Sequence, residues 1–139
     1  MTSSSISKPP LRRRCQAMVA IASARLLAAM SPRRIRSVLG LVYRGARSAT
    51  HQEILRARME VVGTSARCAG NFCLQRSIAT VLLARMRGAV GTWCVGVRSP
   101  PFAAHAWVEA EGRPVGESEE DLDYRPILMV SPPVSSHGE

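Results

Sequence analysis

Apolar residues recur at helical spacing along the N-terminal part of the chain, after a short polar segment. Residues 1–10 are rich in serine and proline, a composition typical of disordered chain, and we expect no regular structure there. Residues 11–30 carry an apolar residue every three or four positions, which predicts an amphipathic helix docked on the domain. Its predicted inner stripe consists of Met18, Val19, Ala22, Leu26, Leu27 and Met30.

Two further helices are predicted, and each begins at a recognisable cap. Ser31 precedes Pro32, which is favoured at the first position of a helix, so a second helix is predicted over residues 33–43. Thr50 and Glu53 have the spacing of a capping box and start the third helix. The periodicity predicts inner faces of Ile35, Val38, Leu39 and Val42 in one helix, and of Ile54, Leu55, Met59 and Val62 in the other.

The apolar pattern broadens in residues 74–87, where apolar side chains lie on most sides of the predicted helix. A helix of this kind is buried between layers, and we expect helices on one side of it and a sheet on the other. Residues 63–70 have the small side chains of a flexible loop. Asn71 is predicted to cap the helix, so that Cys73 lies in its first turn.

Alternating and β-rich segments occupy the C-terminal part of the chain. The predicted strands are residues 92–97, 102–109, 113–116 and 124–130. Glu111 and Gly112 support a tight hairpin turn between the second and third strands, and Pro126 indicates an edge position for the last strand.

These elements predict an α+β fold, with N-terminal helices and a buried central helix packed on a small antiparallel sheet. A chain of 139 residues has room for one domain. We divide it into a disordered N-terminus, a helical part, a core that carries the candidate chemistry and a flexible tail, at residues 1–10, 11–62, 63–130 and 131–139.

Charge adds a possible partner to this picture. The net charge is +9, and arginine supplies all but one of the 19 basic residues. The basic residues concentrate in residues 8–58, whereas residues 109–139 are acidic. Such a basic surface suits a solvated face, an acidic protein or peptide, or nucleic acid. Because a GC-rich genome also produces an arginine bias, we do not predict a nucleic-acid partner.

The cysteines and the hydropathy of the chain indicate its cellular compartment and whether it uses a metal or cofactor. The cysteines form neither CxxC pairs nor a cluster at zinc-ligand spacing, so we predict free thiols, no metal and no cofactor; they are Cys15, Cys68, Cys73 and Cys94. Arg25 interrupts an N-terminal run that loosely resembles a signal peptide. No run approaches the roughly 20 apolar residues that span a membrane. We therefore expect a cytoplasmic protein without a membrane partner.

Cys73, His105 and Glu117 follow one another in the order that thiol chemistry uses. A catalytic cysteine reacts as its thiolate, and a helix N-terminus with a nearby imidazolium lowers its pKa. His105 lies among small alanines that leave room for a nucleophile, and Trp107 lies on the same strand face, where it can cover the pair. Glu117 comes after the next predicted strand, where a carboxylate can accept from the imidazole and fix its tautomer.

Other roles in this site have alternatives. Glu109 is a second candidate for the orienting acid, and the candidate oxyanion donors are the backbone N–H of Cys73 and the side chain of Asn71. Taken singly, Cys73 also fits a small buried helix residue and His105 a structural strand residue. It is their combination that favours a catalytic site.

Several motifs in this region resemble one family. CLQRS opening a leucine-rich helix, then GVRSPPFAAHAWVE, GRPVGE and YRPI, look like the B protein of bacterial lasso peptide biosynthesis in its stand-alone leader-peptidase form. The resemblance covers roughly residues 67–130 and carries the family's catalytic cysteine, histidine and acid over to Cys73, His105 and Glu117. Glu117 stands where many relatives have aspartate.

The resemblance implies a transglutaminase-like, or papain-like, fold and a cytoplasmic cysteine peptidase without a cofactor. Its substrate would be a ribosomally made precursor peptide, from which it cuts the leader. Stand-alone members use a separate small leader-binding recognition protein, and a separate ATP-dependent lasso cyclase closes the released core.

Two other functions stay open at this point. The same three residues would serve a transglutaminase-like acyl transferase or amidase, because they define thioester chemistry but not the acceptor. A non-catalytic basic helical module that binds nucleic acid or an acidic protein would instead use the arginines of residues 12–58.

Overall fold

Helices surround a central helix that lies against an antiparallel sheet, so the predicted α+β class is confirmed. A computed structural model of the chain describes residues 11–65, 72–99, 102–117 and 124–133. Within these ranges the helices are α1 (Leu11–Ala28), α2 (Pro32–Val42), α3 (His51–Thr64) and α4 (Cys73–Met86). The strands are β1 (Arg47–Ser48), β2 (Ala89–Val90), β3 (Thr92–Arg98), β4 (Ala103–Ala110), β5 (Arg113–Pro114) and β6 (Arg125–Val130).

The predicted caps of α2 and α3 are confirmed. The side chain of Ser31 accepts a hydrogen bond from the backbone of Arg34, and Pro32 is the first residue of α2. Thr50 and Glu53 form a reciprocal capping box, in which each side chain accepts from the backbone N–H of the other. These bonds satisfy donors that helix geometry leaves without an intrahelical acceptor, so they define where the helices begin.

Helix α1 docks on α4, as expected, but through a different face from the one predicted. Its buried residues are Ala17, Ala20, Ile21 and Ala24. In the predicted stripe, Leu27 and Met30 pack partly against the core, but Met18 and Leu26 are 60% and 77% exposed, and Ala22 is also exposed. The stripe of small residues packs against α4 because alanine side chains let two helix axes approach closely.

Helix α3 also presents a different face to the core. Ile54 is buried as predicted, but its buried neighbours are Ala57 and Val61, and Met59 is 64% exposed. The inner stripe is therefore rotated by about one residue from the prediction. This rotation brings Arg58, a polar residue, to the inner side of the helix.

The prediction of a helix buried between layers is confirmed for α4. Seven of its residues are buried, among them Ser77 and Thr80, whose hydroxyls donate to the carbonyls of Leu74 and Arg76. Ser77 also accepts a hydrogen bond of 3.0 Å from the indole of Trp93 on β3, which fixes the sheet against the helix. The N-cap is Phe72 rather than the predicted Asn71.

The main sheet has the strand order β5-β4-β3-β6, with every neighbouring pair antiparallel. Glu111 and Gly112, both with positive φ, form the turn between β4 and β5. Strand β6 lies at the edge, as Pro126 predicted. The parallel pair of β1 and β2 was not predicted, because two-residue strands carry no periodicity.

Some predictions fall outside the described residues: the disordered N-terminus over residues 1–10, most of the loop over residues 63–70 and most of the tail over residues 131–139. Asn71 and Cys68 lie outside them too. None of the helices that the structure describes is long and apolar enough to cross a membrane.

Candidate active site

Cys73 is the first residue of α4, so its thiol lies at the positive end of the helix dipole. Leu74, which directly follows the cysteine, packs partly against the core, and the buried residues of α4 begin at Ser77. The backbone N–H of a first helical residue has no intrahelical acceptor. The role of this N–H as an oxyanion donor agrees with its place in the helix and stays a prediction, while Asn71 is not among the described residues.

The structure brings Cys73, His105 and Glu117 into one hydrogen-bonded chain. Nε2 of His105 bonds Oε1 of Glu117, and the imidazole also makes a hydrogen bond with Cys73. Because Nε2 is engaged by the carboxylate, Nδ1 is the ring nitrogen left for the thiol. The side chains of His105 and Glu117 are only 10% and 4% exposed, so the chain is shielded from water.

The β4–β5 hairpin places Glu117 beside His105. Antiparallel pairing opposes Glu109 to Pro114, and the backbone N–H of Val115 donates to the carbonyl of Val108. Continuing in this register, the chain reaches Glu117 level with the middle of β4. Gly116, with a φ of 73°, lets the backbone turn there.

The electrostatics favour a thiolate and an imidazolium. Burial raises the pKa of the Cys73 thiol, but hydrogen bonds from His105 and the Ala106 backbone N–H, with the charges of His105 and Arg76, lower it below its ordinary value. The hydrogen bond with Cys73, and next that with Glu117, raise the pKa of His105 to about 9, although burial opposes them. Both shifts favour transfer of the thiol proton to the imidazole near neutral pH.

Aromatic rings flank the imidazole. Trp107 stacks beside His105 with 5.8 Å between ring centroids, and Tyr124 lies 5.1 Å from His105. Gly96 makes room for Trp107, because a Cβ on this glycine would lie 2.8 Å from the indole. The guanidinium of Arg98 lies 4.8 Å above the Tyr124 ring. Trp107 was expected to cover the site. Together with Tyr124 it also restricts the orientation of the imidazole.

The second candidate acid, Glu109, contacts other groups. Its carboxylate accepts a hydrogen bond of 3.0 Å from the indole of Trp107. It also lies near Cys94, where burial and then the charge of Glu109 raise the pKa of that thiol to about 12. The carboxylate bonded to His105 is that of Glu117.

Sequence reasoning missed Arg58. Its Nη2 lies 3.7 Å from Oε2 of Glu117, the carboxylate oxygen that does not face His105. A signal was available, because Arg58 follows Ile54 by four residues and precedes Val61 by three, the spacing of one helix face. The predicted inner face of α3 did not include this side of the helix, so Arg58 was not proposed.

The side chains at this site do not resemble a metal centre. In the part of the chain that the structure describes, no group of three or more His, Cys, Asp or Glu side chains could hold a metal ion. The groups that meet at this site are a thiol, an imidazole, a carboxylate and a guanidinium.

Comparison with known proteins gives the family. The family model of the transglutaminase-like superfamily matches residues 17–129, a span that includes Cys73, His105 and Glu117. The chain belongs to the transglutaminase-like superfamily. No curated protein and no solved structure matches it. Membership in the transglutaminase-like superfamily favours a cysteine peptidase or an acyl transferase, and it agrees with the observed helices and antiparallel sheet.

Proposed function

We propose that this transglutaminase-like protein is a cysteine peptidase that removes the leader from a ribosomally synthesised lasso precursor peptide. The observation that carries the proposal is the hydrogen-bonded chain from Cys73 through His105 to Glu117 at the start of α4. The motifs that resemble lasso B proteins lie in the same segments. Cys73 is the nucleophile, His105 the general base and acid, and Glu117 the orienting residue.

In the first half of the reaction, Nδ1 of His105 takes the thiol proton and the thiolate attacks the carbonyl carbon at the leader–core junction. The backbone N–H of Cys73 donates to the oxyanion of the tetrahedral intermediate. The imidazolium then gives its proton to the departing amine as the C–N bond breaks. The core leaves with a free amino terminus, and the leader remains as a thioester on Cys73.

In the second half, His105 removes a proton from a water molecule, which attacks the thioester carbonyl. The C–S bond breaks, the leader departs with a free carboxyl group and the imidazolium–thiolate pair is restored. Glu117 holds the imidazole in one tautomer and stabilises its positive charge in both halves.

The proposal includes a place in the cell and partners. We place the reaction in the cytoplasm, with a separate small recognition protein that presents the leader, and an ATP-dependent lasso cyclase that uses the new amino terminus of the core. Part of the N-terminal basic charge is paired within the fold. Arg47 pairs with Glu53, Arg13 with Glu60 and Arg58 with Glu117. This part of the charge has a structural role.

A transglutaminase-like acyl transferase or amidase is the second candidate, because superfamily membership fits it equally well. It shares the first half of the reaction but passes the acyl group to an amine, or starts from a side-chain amide. The two functions differ in their products and not in Cys73, His105 or Glu117.

The test is to incubate the protein with candidate precursor peptides and the leader-binding protein, and to measure product masses. A peptidase yields a leader with a free carboxyl group and a core with a free amino terminus. Addition of a primary amine distinguishes the second candidate, because a transferase then yields a leader amide. If neither the free leader nor the free core forms with any precursor from the same gene cluster, the proposal is contradicted.

A further inference from the structure

We propose that Arg58 is a positioning residue of this site: its guanidinium holds the buried carboxylate of Glu117 so that the carboxylate orders His105. The inference rests on the proposed role of Cys73 as the nucleophile. The side chain of Glu117 is only 4% exposed. A buried carboxylate is costly unless it is paired, and Glu117 has a partner on each oxygen, His105 on Oε1 and Arg58 on Oε2.

Arg58 also contacts the backbone that carries the acid. A Cβ added to Gly116 would lie 2.6 Å from Cδ, 2.7 Å from Nε and 3.0 Å from Cζ of Arg58, so the arginine side chain packs directly on this glycine. Gly116 immediately precedes Glu117. Helix α3 therefore holds both the backbone and the side chain of Glu117, and Arg58 is the residue that does so.

The inner face of α3 keeps Arg58 in place. Its neighbours one turn away, Ile54 and Val61, are fully buried, and the side chain of Arg58 is 23% exposed. Arg58, Arg76 and Glu117 line one small pocket between α3, α4 and the hairpin. The guanidinium lies nearest Oε2 of the carboxylate, whereas the imidazole bonds Oε1.

This arrangement has an electrostatic consequence. The positive charge of Arg58 compensates the buried carboxylate of Glu117, and that carboxylate stabilises the imidazolium that accompanies the Cys73 thiolate. The other titratable or charged groups that the structure places around His105 are Cys73, Arg76, Arg98 and Tyr124. Arg58 pairs with Glu117, the acid of the site, whereas the charge of Arg76 acts on the Cys73 thiol.

The experiment measures how fast iodoacetamide alkylates Cys73 as a function of pH, by peptide mass spectrometry on the full chain, with exposed Cys15 as the internal reference. Arg58→Met keeps a long aliphatic side chain against Gly116 but removes the charge. We expect the acid limb of the Cys73 profile to move up by about one pH unit, so that the rate below the limb falls about tenfold. Arg58→Lys restores the charge and should return the limb to within about 0.3 pH unit of the original.

The matched control is Arg56→Gln, an exposed arginine on the same helix, which should leave the profile unchanged. If Arg58→Met lowers the rate equally at every pH, or not at all, Arg58 does not act through the charge of Glu117 and the proposal is overturned. If Cys73 of the unaltered protein reacts no faster than Cys15, the proposed nucleophile itself is wrong.

A fold failure is also informative. If Arg58→Met does not fold, circular dichroism of the double variant Arg58→Met with Glu117→Gln decides the matter. Recovery of the fold in the neutral pair supports the ion pair, because no buried charge is left unpaired. Failure of both variants to fold would show that Arg58 is needed independently of Glu117, and would overturn the proposal.

Discussion

Strand β4 carries His105 and Trp107 on the same face, and each ring has a cysteine and a glutamate close to it. His105 lies between Cys73 and Glu117, whereas Trp107 lies opposite Cys94 and bonds Glu109. The pKa of Cys73 is lowered, while burial and the charge of Glu109 raise the pKa of Cys94 to about 12.

The imidazole accounts for this difference. A carboxylate near a thiol opposes the thiolate, since both are negative. An imidazole between them changes the sign of the effect, because it takes the thiol proton and its positive charge is stabilised by the carboxylate. The helix N-terminus at Cys73 acts in the same direction, and Cys94, in the middle of β3, has no such dipole.

The largest expected effect is the loss of the nucleophile. Cys73→Ala should lower peptidase activity by about 10³-fold or more, because no thioester can form. Cys94→Ala is the matched control and should keep its activity within about threefold, although it loses a buried side chain. Product masses and a thermal melt of each variant provide the measurement. Comparable losses in both variants would remove the distinction between the two cysteines.

Removal of the imidazole should have the next largest effect. His105→Ala should lower activity by about 10² to 10⁴-fold, because both proton transfers lose their carrier. The alkylation rate of Cys73 near neutral pH should fall towards that of Cys15. An unchanged alkylation rate would mean that the helix N-terminus alone keeps Cys73 ionised.

The two glutamates allow a sharper test. Glu117→Gln should lower activity by roughly 10 to 100-fold, because the amide can still bond His105 but does not stabilise its positive charge. Glu109→Gln should leave activity within about threefold and should lower the pKa of Cys94, whose remaining shift is due to burial. The reverse ranking of the two variants would make Glu109 the orienting acid.

The smallest effect is spectroscopic and concerns pH. Near neutral pH, thiolate absorbance at 240 nm should be present, should disappear in Cys73→Ala and should persist in Cys94→Ala. On acidification the absorbance should be lost as Cys73 takes a proton.

Activity should also fall above about pH 9, as His105 loses the proton that it gives to the leaving amine. Activity that rises through this range would contradict the assignment of His105 as the acid.

The ends of the helices were easier to predict from the sequence than their buried faces. The caps at Ser31 and Thr50 and the turn at Glu111 and Gly112 were predicted correctly, because each depends on a few neighbouring residues with strong backbone preferences. The inner faces of α1 and α3 were predicted only in part. Ile54 is buried and Leu27, Met30 and Leu55 pack against the core, but Met18, Leu26 and Met59 are exposed. There the larger apolar residues suggested the buried stripe, but close packing against the neighbouring elements selected the alanines.

The same error explains why part of the site was missed. Cys73, His105 and Glu117 were proposed from their order and residue types, whereas Arg58 was not, because its place depends on the rotation of α3. The predicted Asn71 cap was also wrong, since α4 begins after Phe72.

By itself, the sequence determined the order of the helices and of the strands of the main sheet, the hairpin that brings Glu117 back along β4, and the start of α4 close to Cys73. These features follow from local backbone preferences and from the alternation of side chains along a strand. Only the tertiary structure decided which ring nitrogen of His105 bonds a carboxylate, which glutamate supplies that carboxylate and which arginine contacts that glutamate. Such choices depend on the distances between packed elements, and side chains far apart in the sequence set those distances.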